Sequence, residues 1–175
     1  MKSILIIDYG SQYTQLIARR IRELNVYCEI VPFDAKDEDI RSREAVGIIL
    51  SGGPSSVTSE NAPPLSAAVV ESGVPILGIC YGLQVMTQTL GGHVGRSESR
   101  EYGAAEIEIL SKDGLFGRIQ GEESRVWMSH GDHVETPAPG FAVCARSNNG
   151  VIAAVENKSR RMWGVQFHPE VAHSI

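Results

Sequence analysis

The sequence predicts an α/β fold: a mostly parallel sheet in three layers, with helices on both faces and antiparallel strands added in its C-terminal half. Three observations predict it. Short β-branched runs alternate with amphipathic helical stretches through roughly the first half of the chain. The helical signal then stops, and a series of strand-like runs follows with turns between them. A length of 175 residues, 42% apolar and 21% charged, suits one globular domain spanning 1–175.

The elements follow in order. Residues 3–8 make a compact apolar strand that ends at a Tyr9-Gly10 turn. Ser11 is placed to cap a helix whose apolar face carries Tyr13, Leu16, Ile17, Ile21 and Leu24. Residues 26–31 and 46–50 read as strands two and three, short and β-branched as buried parallel strands are. A helix is expected over 63–71, a strand over 75–79, and a helix from Gly82 to about Leu90, closed by Gly91-Gly92. Beyond it, 104–110, 125–128, 141–146, 151–155 and 162–167 are strand candidates, the pattern of antiparallel additions.

Composition narrows the function. A net charge of −5 argues against nucleic acid or an anionic membrane as partner. No apolar run approaches the ~20 residues that span a bilayer. The N-terminus runs straight into a strand, without a signal-peptide cleavage pattern. Three cysteines, an odd number, make no disulfide framework, so a reducing cytoplasm is expected.

The strongest chemical signal is Gly78-Ile79-Cys80-Tyr81-Gly82-Leu83-Gln84. A buried strand runs into Gly78-x-Cys80-x-Gly82 and a helix follows, the cysteine counterpart of a nucleophile elbow. The glycines let the chain turn sharply and keep Cβ atoms clear of a strained nucleophile. The turn sets the sulfur at a helix N-terminus, which favours thiolate. Cys28 and Cys144 lie in apolar strand-like runs without flanking glycines and read as core residues.

Near the C-terminus stands Phe167-His168-Pro169-Glu170. A strand is expected to deliver His168 at its end, and Pro169 to stop the ladder. Glu170 is then within reach of the imidazole's second nitrogen. Alone, His-Pro-Glu would be a solvated turn; beside a cysteine elbow it reads as a base with its orienting carboxylate. Acyl transfer also needs oxyanion donors. The amide of Tyr81 is one, and Ser51-Gly52-Gly53-Pro54, at the C-terminal edge of the third strand, supplies a second at Gly53. A phosphate cradle is the poorer reading of that loop, because Pro54 removes a donor and no lysine follows.

These segments, in this order, resemble the class I (triad type) glutamine amidotransferases over essentially the whole chain. Ile6-Ile7-Asp8-Tyr9-Gly10-Ser11-Gln12-Tyr13, Arg100-Glu101-Tyr102-Gly103 and Met128-Ser129-His130-Gly131-Asp132-His133 narrow the resemblance to the glutaminase part of the GMP synthetase group. The resemblance implies a flavodoxin-like sheet and a catalytic triad of Cys80, His168 and Glu170. It implies glutamine as substrate, held by Gln84, Gly52 and backbone groups near Ser129 and His130, with Gly53 and Tyr81 as oxyanion hole. No metal or cofactor is implied in this domain. ATP and Mg²⁺ belong to an ATP-pyrophosphatase synthetase domain or subunit, which aminates XMP with the ammonia released.

The chain stops five residues after Glu170, where family members usually continue, so a last C-terminal segment and the synthetase domain are expected outside it. His130, Asp132 and His133 could suggest a metal site, but no second cluster at ligand spacing supports it. Arg96, Glu98, Arg100 and Glu101 read as a solvated face or, equally, a partner interface. Three other functions compete: the glutaminase component of another amidotransferase, of anthranilate or carbamoyl-phosphate type; a cysteine hydrolase or peptidase of another class with the same elbow; and a catalytically silent regulatory or binding domain.

Overall fold

The computed structural model describes residues 1–172 and 174, without the side chains of Glu98 and Ser99. In chain order the elements are β1 (Ser3–Asp8), α1 (Thr14–Glu23), β2 (Cys28–Pro32), α2 (Asp37–Arg41), β3 (Ala45–Leu50), α3 (Ala67–Val70), β4 (Ile76–Ile79), α4 (Tyr81–Thr89), β5 (His93–Ile109), β6 (Glu123–Thr136), β7 (Ala142–Ser147), β8 (Ile152–Asn157) and β9 (Met162–Val165). The strands of the described residues join in one sheet, ordered β2-β1-β3-β4-β9-β8-β7-β5-β6. From β2 to β9 all pairings are parallel, and from β9 to β6 all are antiparallel.

Strand alternation builds two cores. Leu5, Ile7, Ile48 and Leu50 face Ile40 of α2, Val69 of α3 and Leu83 and Met86 of α4. Their neighbours in sequence, Ile4 and Ile6, face Ile17, Ala18 and Ile21 of α1 on the other side. Each large side chain so buried contributes about 1.5–3 kcal/mol of transfer free energy. The helices therefore cover both faces of the parallel half, as the sequence predicts. Among the described residues no helix is long and apolar enough to cross a membrane.

The last strand matters most for the site. β9 comes from the end of the chain yet inserts beside β4, with Ile79 opposite Val165. The register is carried one residue further by a hydrogen bond from Cys80 N to Val165 O at 2.8 Å. Residues 166–168 then leave the ladder, with Gln166 N bonded to Ala153 O and His168 N to Trp127 O.

Several local expectations need correction. Ser11 does not cap α1: the helix starts at Thr14, and Ser11 Oγ accepts from Tyr13 N at 3.0 Å, closing a serine turn before it. The helix expected over 63–71 shrinks to Ala67–Val70, capped by Ser66 Oγ accepting from Ala68 N. Pro63 and Pro64 stay outside it, and their carbonyls instead accept from the hydroxyls of Tyr81 and Tyr9. The short helix α2 has no counterpart in the sequence reading, since only Ile40 of it is buried. β5 and β6 run for 17 and 14 residues, far beyond the 104–110 and 125–128 expected. Their extra length contains glycines and charges that mask the alternation, while twelve paired positions along the two strands hold them together.

Candidate active site

Cys80 sits between β4 and α4 with φ 51° and ψ −107°, a left-handed value that a non-glycine residue tolerates only under tertiary constraint. The strain is on the cysteine itself; neither Gly78 nor Gly82 has a positive φ. The glycines serve close packing instead. A Cβ on Gly82 would lie 2.3 Å from Leu50 O, and one on Gly78 2.7 Å from Leu83 N. Without side chains at both positions, α4 can press its first turn onto β3, with Cys80 as the residue at its N-terminus. Cys80 is buried, its thiol donating to Ser129 O at 3.5 Å and accepting from Gln166 Nε2 at 3.6 Å.

The register of β4 and β9 brings His168 to this sulfur. Its Nδ1 donates to Glu170 Oε1 at 2.8 Å, which leaves Nε2 for Cys80. Both members of the pair are buried. Burial alone would lower the His168 pKa, but hydrogen bonds to Cys80 and Glu170, and the charges of both, raise it to about 9. Tyr13 packs edge-on against the imidazole with ring centres 5.2 Å apart, and Arg20 Nε donates to the Glu170 carbonyl. Tyr13, at the start of α1, and Arg20, within it, thus brace His168 and Glu170 from outside. An imidazolium beside a thiol at a helix N-terminus is suited to hold a thiolate ready for attack on a carbonyl carbon.

Cys80, Gly53, Pro54 and Ser129 are shared by two cavities. One, about 360 Å³, is lined by residues 10–13 and His168. The other, about 430 Å³, is lined by Ser55, Ser56, Gln84, Arg100, Tyr102, His130 and Asp132. Cys80 therefore stands at a waist, with His168 on one side and a polar lobe on the other.

The remaining predicted residues gather here. A Cβ on Gly52 would approach His168 Cε1 to 2.9 Å, so glycine is what lets the imidazole lie over the loop. Gly53 meets both lobes, and a Cβ there would strike Tyr9 O at 2.3 Å. Tyr81 buries its ring, its hydroxyl donating to Pro63 O, and burial pushes its pKa up to about 12. Gln84 is buried and donates to Asp132 O at 3.0 Å and Gln166 Oε1 at 3.3 Å. Ser129 contributes its carbonyl to Cys80. His130 lines the polar lobe, but both ring nitrogens are committed to Glu101 and Asp132 O, leaving only its backbone for a ligand. No cluster of metal-binding side chains occurs among the described residues. Cys28 and Cys144 are buried and free, the latter pushed up to about 12 by burial.

Two residues escaped the sequence reading. Gln166, which bonds the sulfur, precedes His168 by two, and period-2 alternation could have put both on one face. Glu101, expected on a solvated or partner-facing run, is instead buried against His130. Of that run, Arg96 and Arg100 are exposed, and the Glu98 side chain lies outside the described residues.

Residues 5–175 match the family model of glutamine amidotransferase class-I. The chain belongs to that family. Among relatives of this class I amidotransferase chain, one from Caldanaerobacter subterraneus subsp. tengcongensis, called glutamine-hydrolysing GMP synthase, is 53% identical over 99% of the chain and 34% of its own length. A protein of the same description from Aquifex aeolicus is 52% identical, with the same coverage of 99% and 34%. The amidotransferase chain thus spans about a third of the length of these curated relatives. Among solved structures, a Thermoplasma acidophilum protein, provisionally called a GMP synthase subunit, superposes with a TM-score of 0.88 at 30% identity, covering 99% of this chain and 87% of that one. A glutamine amidotransferase from Thermotoga maritima shares the fold, with a TM-score of 0.75 at 22% identity, covering 98% and 76%.

Proposed function

We propose that this chain hydrolyses glutamine to glutamate and ammonia, and that it supplies the ammonia to a synthetase domain or subunit that converts XMP to GMP. The observation that carries this reading is the strained Cys80 held against a His168 that is itself fixed by Glu170. Identity near 50% over 99% of the chain to proteins called GMP synthase supports the choice of pathway.

In this reaction Cys80 attacks the side-chain amide carbon of glutamine while the amides of Gly53 and Tyr81 receive the oxyanion. The C–N bond breaks, and ammonia leaves with a proton from His168. Water, deprotonated by His168, then hydrolyses the glutamyl thioester and frees the thiol. Glu170 keeps the imidazole in one tautomer and stabilises its charged form. Gln84 and the backbone at Ser129 and His130 seat the substrate in the polar lobe, with Gly52 beside Cys80 and His168. ATP and Mg²⁺ act in the partner, where they activate XMP. Three free cysteines, with Cys80 required as a thiol, fit a reducing cytoplasm.

The test measures glutamine hydrolysis with and without a matching synthetase part loaded with ATP, Mg²⁺ and XMP. The complete system should make GMP from glutamine, and the chain alone should be a poor glutaminase, because release without an acceptor wastes ammonia. Cys80→Ala should abolish glutamine-dependent GMP formation and leave ammonia-dependent formation intact. Glutamine turnover that survives Cys80→Ala would remove the thioester mechanism. A lone chain as fast as the loaded complex would make it an autonomous glutaminase.

A further inference from the structure

The β5–β6 ladder breaks beside the polar lobe. Pairing runs to Arg96↔Asp132 and resumes at Glu101↔His130, so four residues of β5 stand against the single Gly131 of β6. A backbone stretch where the ladder lapses, centred on glycine, has little stiffness of its own. Yet residues 129–132 carry contacts the site depends on. Ser129 O accepts from the Cys80 thiol, and Asp132 O accepts from Gln84 Nε2.

A side-chain network stands where the ladder is interrupted. Glu101 is buried and both its oxygens are engaged: Oε1 accepts from Asn149 Nδ2 at 2.9 Å and Ser147 Oγ at 3.3 Å, and Oε2 lies 3.2 Å from His130 Nε2. His130 Nδ1 lies 2.9 Å from Asp132 O. A carbonyl can only accept, so Nδ1 carries a proton, and Nε2 is the nitrogen that faces the Glu101 carboxyl group. Flipping the ring would set C–H groups against both acceptors. The imidazole is therefore locked, and it locks the Asp132 carbonyl that also receives Gln84. Gln84 in turn meets Gln166 Oε1, and Gln166 Nε2 reaches the Cys80 sulfur.

We propose that Glu101 is a positioning residue for glutamine recognition: through His130 it holds the 129–132 backbone in the geometry that Gln84 and Cys80 require. The inference rests on the glutaminase reading. It also gives the Asn149 turn a role, since that residue is exposed and anchors the far end of the network.

The test compares two alkylation rates at Cys80, mapped by mass spectrometry: that of a glutamine-like diazo ketone, which must be recognised, and that of iodoacetamide, which need not be. In Glu101→Ala the ratio of the two rates should fall about tenfold, the effect of unpairing buried polar groups next to a binding lobe. Glu101→Gln should restore most of it, its amide oxygen facing Asn149 and its NH₂ facing His130 Nε2. A merely structural role would lower both rates together and leave the ratio alone. If Glu101→Ala does not fold, Asn149→Ala decides, with an expected fall of about threefold from the loss of one bond to Glu101. A wild-type chain labelled by the diazo ketone, with an unchanged ratio in the folded variants, would overturn the inference alone. A wild-type chain that the diazo ketone never labels would overturn the glutaminase reading and this inference with it.

Discussion

His168–Glu170 and His130–Glu101 are two buried histidine–carboxylate pairs whose histidines line the two lobes that meet at Cys80, and the two histidine pKa values are shifted in opposite directions. Their nitrogen–oxygen distances are 2.8 and 3.2 Å, and all four side chains are buried. Burial lowers the pKa of His130, and the bonds to Asp132 O and Glu101 do not reverse it. Burial acts on His168 too, yet that group is raised to about 9. The decisive difference is the second ring nitrogen. In His130 it meets a neutral carbonyl; in His168 it meets Cys80, whose negative form adds a second anion to that of Glu170. The same two residue types thus leave one histidine with its pKa lowered and the other with its pKa raised.

The comparison is broken most severely at the histidines. His168→Gln should cost about 10³–10⁴ in kcat for glutamine hydrolysis, because general base and acid are lost together. His130→Gln should act mainly on KM. Equal kcat losses in steady-state kinetics would mean that His130 is no mere brace.

The carboxylates come next. Glu170→Gln should lower kcat by about 10–10², with KM little changed, since a cysteine–histidine pair depends less on its third member than a serine triad does. An unaltered kcat would remove Glu170 from the mechanism.

Glycine substitutions sharpen the contrast in space. Gly52→Ala would set a Cβ 2.9 Å from His168 Cε1, and should lower kcat by about 10² through displacement of the base. Gly131→Ala meets nothing nearer than the flexible Arg100 side chain at 3.6 Å, and should stay within about threefold of wild type. Kinetics and thermal melts of both variants would check this, and a harmless Gly52→Ala would show that the imidazole has room the structure denies.

The smallest expected effect is on stability against pH. His168 has a folded pKa above its unfolded value, so its contribution is full below about 6.5 and is lost as pH rises through about 9. His130 has a lowered pKa, so its contribution is present above about 6.5 and fades as pH falls. Melting curves should show His168→Gln flattening the alkaline slope and His130→Gln the acid one. A shared slope would mean that the two rings titrate alike.

Local sequence was enough for the parallel core and for the two segments that carry Cys80, His168 and Glu170. Gly78-x-Cys80-x-Gly82 after a β-branched run and His168-Pro169-Glu170 after another are signals written within a few residues, because turn geometry and side-chain reach are local properties. Gly53 and Tyr81, a few residues past the ends of β3 and β4, and Gln84, in the first turn of α4, lie near Cys80 for the same local reason. Long-range packing chose the rest. Whether residues 96–101 were a solvated face depended on what β6 and the Asn149 turn bring to Glu101, and no pattern within 96–101 encodes that. The length of β5 and β6 was hidden for the same reason: each pairs with the other across a gap of sequence, and paired strands tolerate glycines and charges that a lone strand signal does not. Above all, the insertion of β9 beside β4 sets His168 against Cys80. That contact between residues 88 positions apart is fixed by strand order and register, which distant parts of the chain settle together and neighbouring residues do not.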